Sequence, residues 1–292
     1  MKNNDIIPIH TFETEQAQTT ASPICMYVEW GGKRKVWHTP HRHAFNELIF
    51  VTQGGGKHEI DFCDYPLQTH SVHFVKTAQV HLIDRTDEAA GCSILFSDDF
   101  LHAVQQNPNV QKLPFFQASF YPIVQLDAPI FEQISPILAQ IKTEYAATNL
   151  SISAELIRTY CQILCLLTLK GYHALSDLNK RVQPPNNTTQ QFIALIEQYF
   201  RQHYTIAQYA TLLQLSPNYL SDLCKQETGK TAHQLIQDRI LLEAKRLLCY
   251  SELPIKAIAY ELHFEDTAYF SRFFKKNTLV SPIEYRKATL MR

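Results

Sequence analysis

The sequence predicts a two-domain α+β protein. A β-barrel or jelly roll with flanking helices comes first, then an all-α domain of two helix-turn-helix units joined by a connecting helix. Three observations lead there. Residues 24–96 hold short β-branched and aromatic runs at close spacing, the pattern of a sandwich or jelly roll. From about Ala128 onward apolar residues recur at i, i+3, i+4 and i+7, as amphipathic helices require. Before the last hundred residues lies "DLNKRVQPPNNTTQQ" (177–191), polar with a double proline, which is linker composition. At 292 residues the chain also exceeds the ~100–200 usual for one domain.

Taken in order, "ELIFVTQ" (47–53) is a strand, "GGG" (54–56) breaks it, and "KHEIDF" (57–62) alternates His58, Ile60 and Phe62 against Lys57, Glu59 and Asp61. Two extended runs around glycines predict a hairpin. "SVHFV", "VHLID" and "CSILF" add strands, and Ser97 can cap a short helix in "SDDFLHAVQQ". A helix at roughly 129–147 follows. Then "SAELIRTYCQILCLLTLKGY" places Leu156, Ile157, Tyr160, Ile163, Leu164 and Leu167 on one face, with Gly171 as its stop. The expected division is 1–127, a helical segment 128–176, a linker 177–189 and a second domain 190–292.

With 45% apolar and 19% charged residues the composition is ordinary for a globular protein. Seven scattered cysteines without a C-x-x-C pair fit reduced thiols in a cytosol rather than a disulfide framework, and Cys161 with Cys165 fits core packing. The longest apolar run, "YCQILCLLTL" (160–169), falls short of the ~18 residues of a membrane span, and the N-terminus lacks the features of a signal peptide. A cytoplasmic protein with no membrane partner is expected. Net charge is −1, yet residues from Asn187 onward carry 13 Lys/Arg against 10 Asp/Glu, or +3, leaving −4 for the rest. The basic back half is the part suited to a polyanion.

That back half repeats itself. In "TIAQYATLLQLSPNYLSDLCKQETGKT" (205–231), Thr205 caps a helix with Ile206, Tyr209, Ala210 and Leu213 inward. Ser216 and Pro217 start a second helix that Gly229 closes. About fifty residues on, "PIKAIAYELHFEDTAYFSRFFKKNTLVSP" (254–282) sets Ile255, Ile258, Ala259 and Leu262 against those four, with Tyr269 over Tyr219, Ser271 over Ser221 and Lys275 over Lys225. Two units, at 206–228 and 255–277, flank the connecting helix "DRILLEAKRLL" (238–248). Each second helix is shaped for a major groove, and two on one rigid connector suit successive turns of DNA, ~34–36 Å apart.

"RILLEAKRLL…IKAIAYELHFEDTAYFSRFFKK…SPIEYR" resembles the signature of the AraC/XylS family of bacterial transcription regulators over roughly the last 100 residues. The resemblance implies sequence-specific binding of promoter DNA, usually for activation, with RNA polymerase as a further partner. Carried onto matching positions, the base-facing residues are Asn218, Ser221 and Asp222 in the first head and Ala268, Tyr269 and Arg272 in the second. Lys225, Lys275 and Lys276 are assigned to phosphates. Arg272 suits bidentate guanine recognition. Tyr219, Phe270, Phe273 and Phe274 are expected in the core; Tyr269 is open between core and groove. His263 and Leu279 stand where the family has glycine, which predicts an altered or strained second unit. Asp222 and Cys224 replace the family's arginine and phenylalanine, so the second head is expected to bind more strongly.

In "HRHAFNELIFVTQGGG" (41–56), one regular strand would put His41, His43, Phe45, Glu47 and Ile49 on one face, and His81 falls on a later strand that can lie beside them. H-x-H, then Glu, then Gly is similar to the first motif of the cupin superfamily, although Lys35 replaces its leading glycine. Many AraC-type regulators resemble cupins in front and hold a small effector in the barrel. Three roles are open to His41, His43, Glu47 and His81: a metal-free effector pocket, a site for a divalent transition metal, or structural hydrogen bonding. Trp30, Trp37 and His38 could line the pocket mouth.

An effector-responsive regulator, most often an activator, dimerising through helices 129–171, is the expected function, and no enzymatic activity is expected. The alternative is a metal-dependent cupin enzyme with a helical docking module.

Overall fold

The computed structural model describes residues 7–11, 25–32, 39–116, 121–146, 150–176 and 187–290. Two compact units divide the chain, one of residues 8–183 and one built on residues 184–292.

Ten strands make two five-stranded sheets in the first unit. They are β1 (Ile9–His10), β2 (Cys25–Gly31), β3 (His41–His43), β4 (Asn46–Gln53), β5 (Gly56–Ile60), β6 (Cys63–Pro66), β7 (Ser71–Val75), β8 (Val80–Arg85), β9 (Ala90–Phe96) and β10 (Ile123–Gln125). One sheet has the order β1-β3-β8-β5-β6 and the other β10-β7-β4-β9-β2. Three helices accompany them: α1 (Asp98–Gln105), α2 (Ala128–Tyr145) and α3 (Leu150–Ser176). The Ser97 hydroxyl accepts from Phe100 N–H and caps α1, as the sequence predicts.

β4 is buried along Asn46–Val51, because its sheet is covered twice. Leu48, Phe50, Phe74, Ile94 and Phe96 pack on one side against Phe100, Ile134, Ile157 and Leu164 of the helices. Ile49, Val51 and Val75 pack on the other with Ile60 of the opposite sheet and Leu67. A strand covered on both faces reads as a continuous apolar run rather than an alternation.

Four expectations need correction here. The runs around "GGG" are not a hairpin: β4 pairs with β7 and β9, whereas β5 pairs with β6 and β8. The glycines carry the chain from one sheet to the other, with Gly55 and Gly56 at φ of 151° and 96°; a Cβ on Gly54 would lie 2.4 Å from the Leu67 carbonyl oxygen. Residues 41–49 are not one strand either, since the chain bends at Ala44–Phe45 and β3 and β4 lie in different sheets. Gly171 does not stop α3, which runs to Ser176. A Cβ there would meet Leu126 Cδ2 at 2.4 Å, so the glycine makes room for that buried side chain against the helix. The apolar stretch of α3 is longer than "YCQILCLLTL": Ile152–Tyr172 has the length and composition to cross a bilayer. Ile157, Cys161, Leu164, Cys165 and Leu169 are nevertheless buried in the core of this unit, which makes it a core helix.

The second unit is helical: α4 (Asn187–Tyr199), α5 (Ile206–Leu212), α6 (Pro217–Thr228), α7 (Ala232–Tyr250), α8 (Ile255–Glu261), α9 (Thr267–Thr278) and α10 (Pro282–Leu290). α4 begins inside the expected linker 177–189, whose residues 177–186 lie outside the described ones. Capping explains the boundaries. Thr205 with Gln208, and Thr231 with Gln234, form capping boxes at α5 and α7; Ser216 caps α6 and Asp266 caps α9. One core runs from Phe192 and Tyr209 through Leu220, Ile240, Ala244 and Leu247 to Ile258, Phe270 and Phe274.

Candidate ligand centre and nucleic-acid interface

The bend at Ala44–Phe45 brings the first unit's candidates together instead of separating them. His41 and His81 are direct partners across β3 and β8, and His43 lies on the same face two residues on. Glu47 reaches them from the opposite sheet, with Oε2 3.5 Å from His43 Nδ1 and 4.0 Å from His81 Nε2. One ligand nitrogen from each of His41, His43 and His81 falls within 4.8 Å of the other two. All four residues are buried. Phe45, fully buried, stacks on the His43 ring at 4.4 Å between centroids and holds the bend.

Three histidines missed in the sequence complete the interior. His10, on the two-residue β1, pairs in parallel with His43 and stands 4.7 Å from the His41 ring. His58 and His73 are fully buried, and His58 Nε2 is 2.9 Å from His81 Nδ1 while its Nδ1 is 3.0 Å from His73 Nδ1. Burial holds His41, His43, His58, His73 and His81 neutral. It lowers His41 to about 4, partly opposed by a hydrogen bond to the Thr39 carbonyl, and lowers His73 to about 3. His43, His58 and His81 are held well below the ordinary histidine value, first by burial and then by neighbouring imidazoles. Neutral imidazole is the form that binds a metal. Trp30 packs under the Arg85 guanidinium, 6.0 Å from its ring centroid, while Trp37 and His38 lie outside the described residues.

In the second unit, α6 exposes Asn218, Asp222 and Lys225, with Ser221 half-buried beside them. α9 exposes Ala268, Tyr269, Arg272, Lys275 and Lys276. Positions i, i+4 and i+7 share a helix face, so each set is one stripe. Phe270, Phe274, Leu220 and Cys224 occupy the opposite, buried face. Tyr219 is a correction: it is 54% exposed, like Tyr269 at 53%, and both rings border the stripes. At residue i+1 of each stripe the side chain clears the core, which the apolar character of the ring obscured.

Cys224 has less bulk than Phe274 at the matching position of the other head, and Tyr209 has more than its counterpart Ile258; all four are buried. The exchange moves volume from the second helix to the first and keeps the core filled. His263 and Leu279 adopt left-handed backbones at φ of 57° and 69°, matched by Gln214 at 57° and Gly229 at 74° in the first head. His263 Nδ1–H donates to the Arg201 carbonyl, and His203 donates back to the Leu262 carbonyl. That reciprocal pair ties the approach to the first head onto the turn of the second.

A buried carboxylate orders the connector. Glu243 accepts hydrogen bonds from Arg201, Arg239 and Arg246, each at 3.1 Å, and Arg201 also pairs with Glu261 of α8 at 3.3 Å. Arg286 of α10 donates to the Leu248 and Leu253 carbonyls and so caps α7.

Two helix-turn-helix units on one connecting helix, each exposing a polar stripe, define a DNA-binding transcription regulator. Residues 209–288 match the helix-turn-helix domain family. The domain is of the AraC type, and the chain is homologous to the HTH-type transcriptional activator RhaS of Escherichia coli, with 26% identity over 250 residues that cover 85% of this chain and 87% of that one. Among solved structures, the C-terminal domain of the two-component response regulator yesN from Fusobacterium nucleatum is 30% identical over 35% of this chain and 99% of its own (TM-score 0.33). ToxT from Vibrio cholerae, bound to an unsaturated fatty acid, is 16% identical over 90% of this chain and 94% of its own (TM-score 0.44).

Proposed function

We propose that this regulator is a cytoplasmic, ligand-responsive activator. Its first 127 residues are a cupin-like sensor, residues 128–176 join two copies, and residues 190–292 read promoter DNA for RNA polymerase. The duplicated exposed stripe carries the reading. Asn218, Ser221 and Asp222, with Ala268, Tyr269 and Arg272, face base edges; Lys225, Lys275 and Lys276 neutralise phosphates. The similarity to RhaS, a transcriptional activator, supports activation. A partly exposed apolar stripe on α3, with Ile152 60% and Leu156 37% exposed, supports pairing of two copies there.

For the sensor, the donor set fits a divalent first-row transition metal. His43 Nε2 and His81 Nε2 stand 3.2 Å apart. Metal–nitrogen bonds of about 2.0–2.1 Å in a tetrahedral set put neighbouring nitrogens ~3.3 Å apart. His41, His43 and His81 would hold the ion with Glu47 at hand, and the ion would supply a Lewis-acidic anchor for an oxygen of the effector. Ligand binding shifts the DNA-competent population only as far as the ligand prefers that arrangement.

Selection of bound sites from random duplexes by the wild type and by Arg272→Ala tests the DNA reading. A defined wild-type site that loses one guanine position in the variant is the expected result. An unchanged preference would reject the placement of the second head.

A further inference from the structure

Four buried side chains beyond the candidate ligands of β3 form a continuous file, Ser71–His73–His58–His81, and its proton order follows from its first member. Ser71 has one hydroxyl proton, given to the Gln68 carbonyl at 2.7 Å. Its oxygen therefore accepts from His73 Nε2–H, at 2.9 Å. A neutral imidazole carries one proton, so His73 Nδ1 is an acceptor and takes its bond from His58 Nδ1–H, at 3.0 Å. His58 Nε2 then accepts from His81 Nδ1–H, at 2.9 Å. The order ends with the His81 Nε2 lone pair aimed at His43 Nε2, 3.2 Å away.

His43 cannot complete the chain with a single proton. With its proton on Nε2 it satisfies His81, but its Nδ1 lone pair then faces the Glu47 carboxylate at 3.5 Å, and that Nδ1 has no hydrogen-bond partner among the described residues. With its proton on Nδ1 it serves Glu47, but two Nε2 lone pairs then face each other at 3.2 Å. One cation shared by the two Nε2 atoms resolves both conflicts. His41 agrees, since donation from its Nδ1–H to the Thr39 carbonyl leaves Nε2 as the ring's lone-pair nitrogen.

We propose that Ser71, His73 and His58 are positioning residues: a one-way relay anchored on the Gln68 carbonyl fixes His81 as its Nδ1–H tautomer and so makes the cluster a divalent transition-metal centre. The relay rests on the metal reading of the cluster and extends it to three residues outside the ligand set. Outer partners of this kind change metal affinity by about 10–100-fold.

The test uses the full chain with Co²⁺ as probe. Wild type is expected to bind one Co²⁺ with visible bands of a low-coordinate nitrogen–oxygen site, and ¹⁵N spectra to show His81 protonated at Nδ1. His58→Phe is expected to weaken binding about 10–100-fold and to shift the bands. Ser71→Ala, which opens almost no space, keeps the test available if His58→Phe does not fold; it should weaken binding and give two tautomers of His73. Ser71→Thr, which keeps the hydroxyl, should restore both. Wild-type affinity and bands in His58→Phe and Ser71→Ala, or His81 protonated at Nε2, would overturn the relay. A wild type that binds no Co²⁺ yet still selects DNA sites would also overturn it while leaving the regulator intact; loss of site selection itself strikes the regulator reading instead.

Discussion

Replacing Glu243 by glutamine tests what holds the two heads to their connector. Its side chain is 1% exposed, and Oε2 accepts from both Arg239 and Arg246, the latter only 4% exposed. An amide there keeps one acceptor oxygen for Arg201 but turns a donor toward two guanidinium groups, or the reverse. Removing the charge from a buried pair costs about 3–5 kcal/mol, because the partner stays desolvated without its counter-charge. For a domain of about 100 residues each kcal/mol moves the midpoint by about 4–8 °C, so a fall of about 12 °C or more is expected in the transition of the C-terminal unit. Calorimetry of the full chain, with the two transitions assigned by a ligand-centre variant, reads it directly. A fall below about 4 °C would show that the three arginines are solvated well enough to do without the carboxylate.

Other consequences are as specific. Lys275→Ala with Lys276→Ala should weaken binding to all duplexes alike and flatten the salt dependence by about two phosphate contacts; a change confined to one sequence would assign them to bases. Leu279→Gly should stabilise the C-terminal unit by about 0.5–1 kcal/mol, since Leu279 is 85% exposed at φ 69° and gives up little packing; destabilisation in urea would contradict the strain. The first unit should be acid-labile. His41 and His73 have folded values depressed to about 4 and about 3 from 6.5, so the unfolded chain takes up protons first. Their stabilisation is full above pH 6.5 and is lost as pH falls toward those values, at about 1.4 kcal/mol per group per pH unit. Chelator-treated protein unfolding at the same urea concentration at pH 7 and pH 5 would refute it.

The helical half was legible because its signals are local. Thr205, Ser216 and Gly229 mark helix ends by their own chemistry, and the repeat exposes the matching positions of the second head. The β half was legible only in part. His41, His43, Glu47 and His81 do converge, yet by a bend at Ala44–Phe45 that crosses between sheets, which an alternating pattern does not register. "GGG" signals a turn but not which strand comes next in space. His58 and His73 sit in ordinary strand alternation with Ile60 and Val75, so nothing short of the pairing of both sheets makes them neighbours. The alternation in "KHEIDF" does put His58 on the face of Ile60, the one hint available. Arg286 was visible in the signature, but its task of capping α7 depends on where α10 folds back.

The spacing of the two heads on DNA is the most direct measure of the whole account. Hydroxyl-radical footprinting of the full chain on its selected site should show two protected patches on one face, centred about 10–10.5 base pairs apart per copy, with the patch nearer the guanine position weakened by Arg272→Ala. One short patch, or two whose separation changes freely with the sequence between them, would contradict a rigid pair of reading helices.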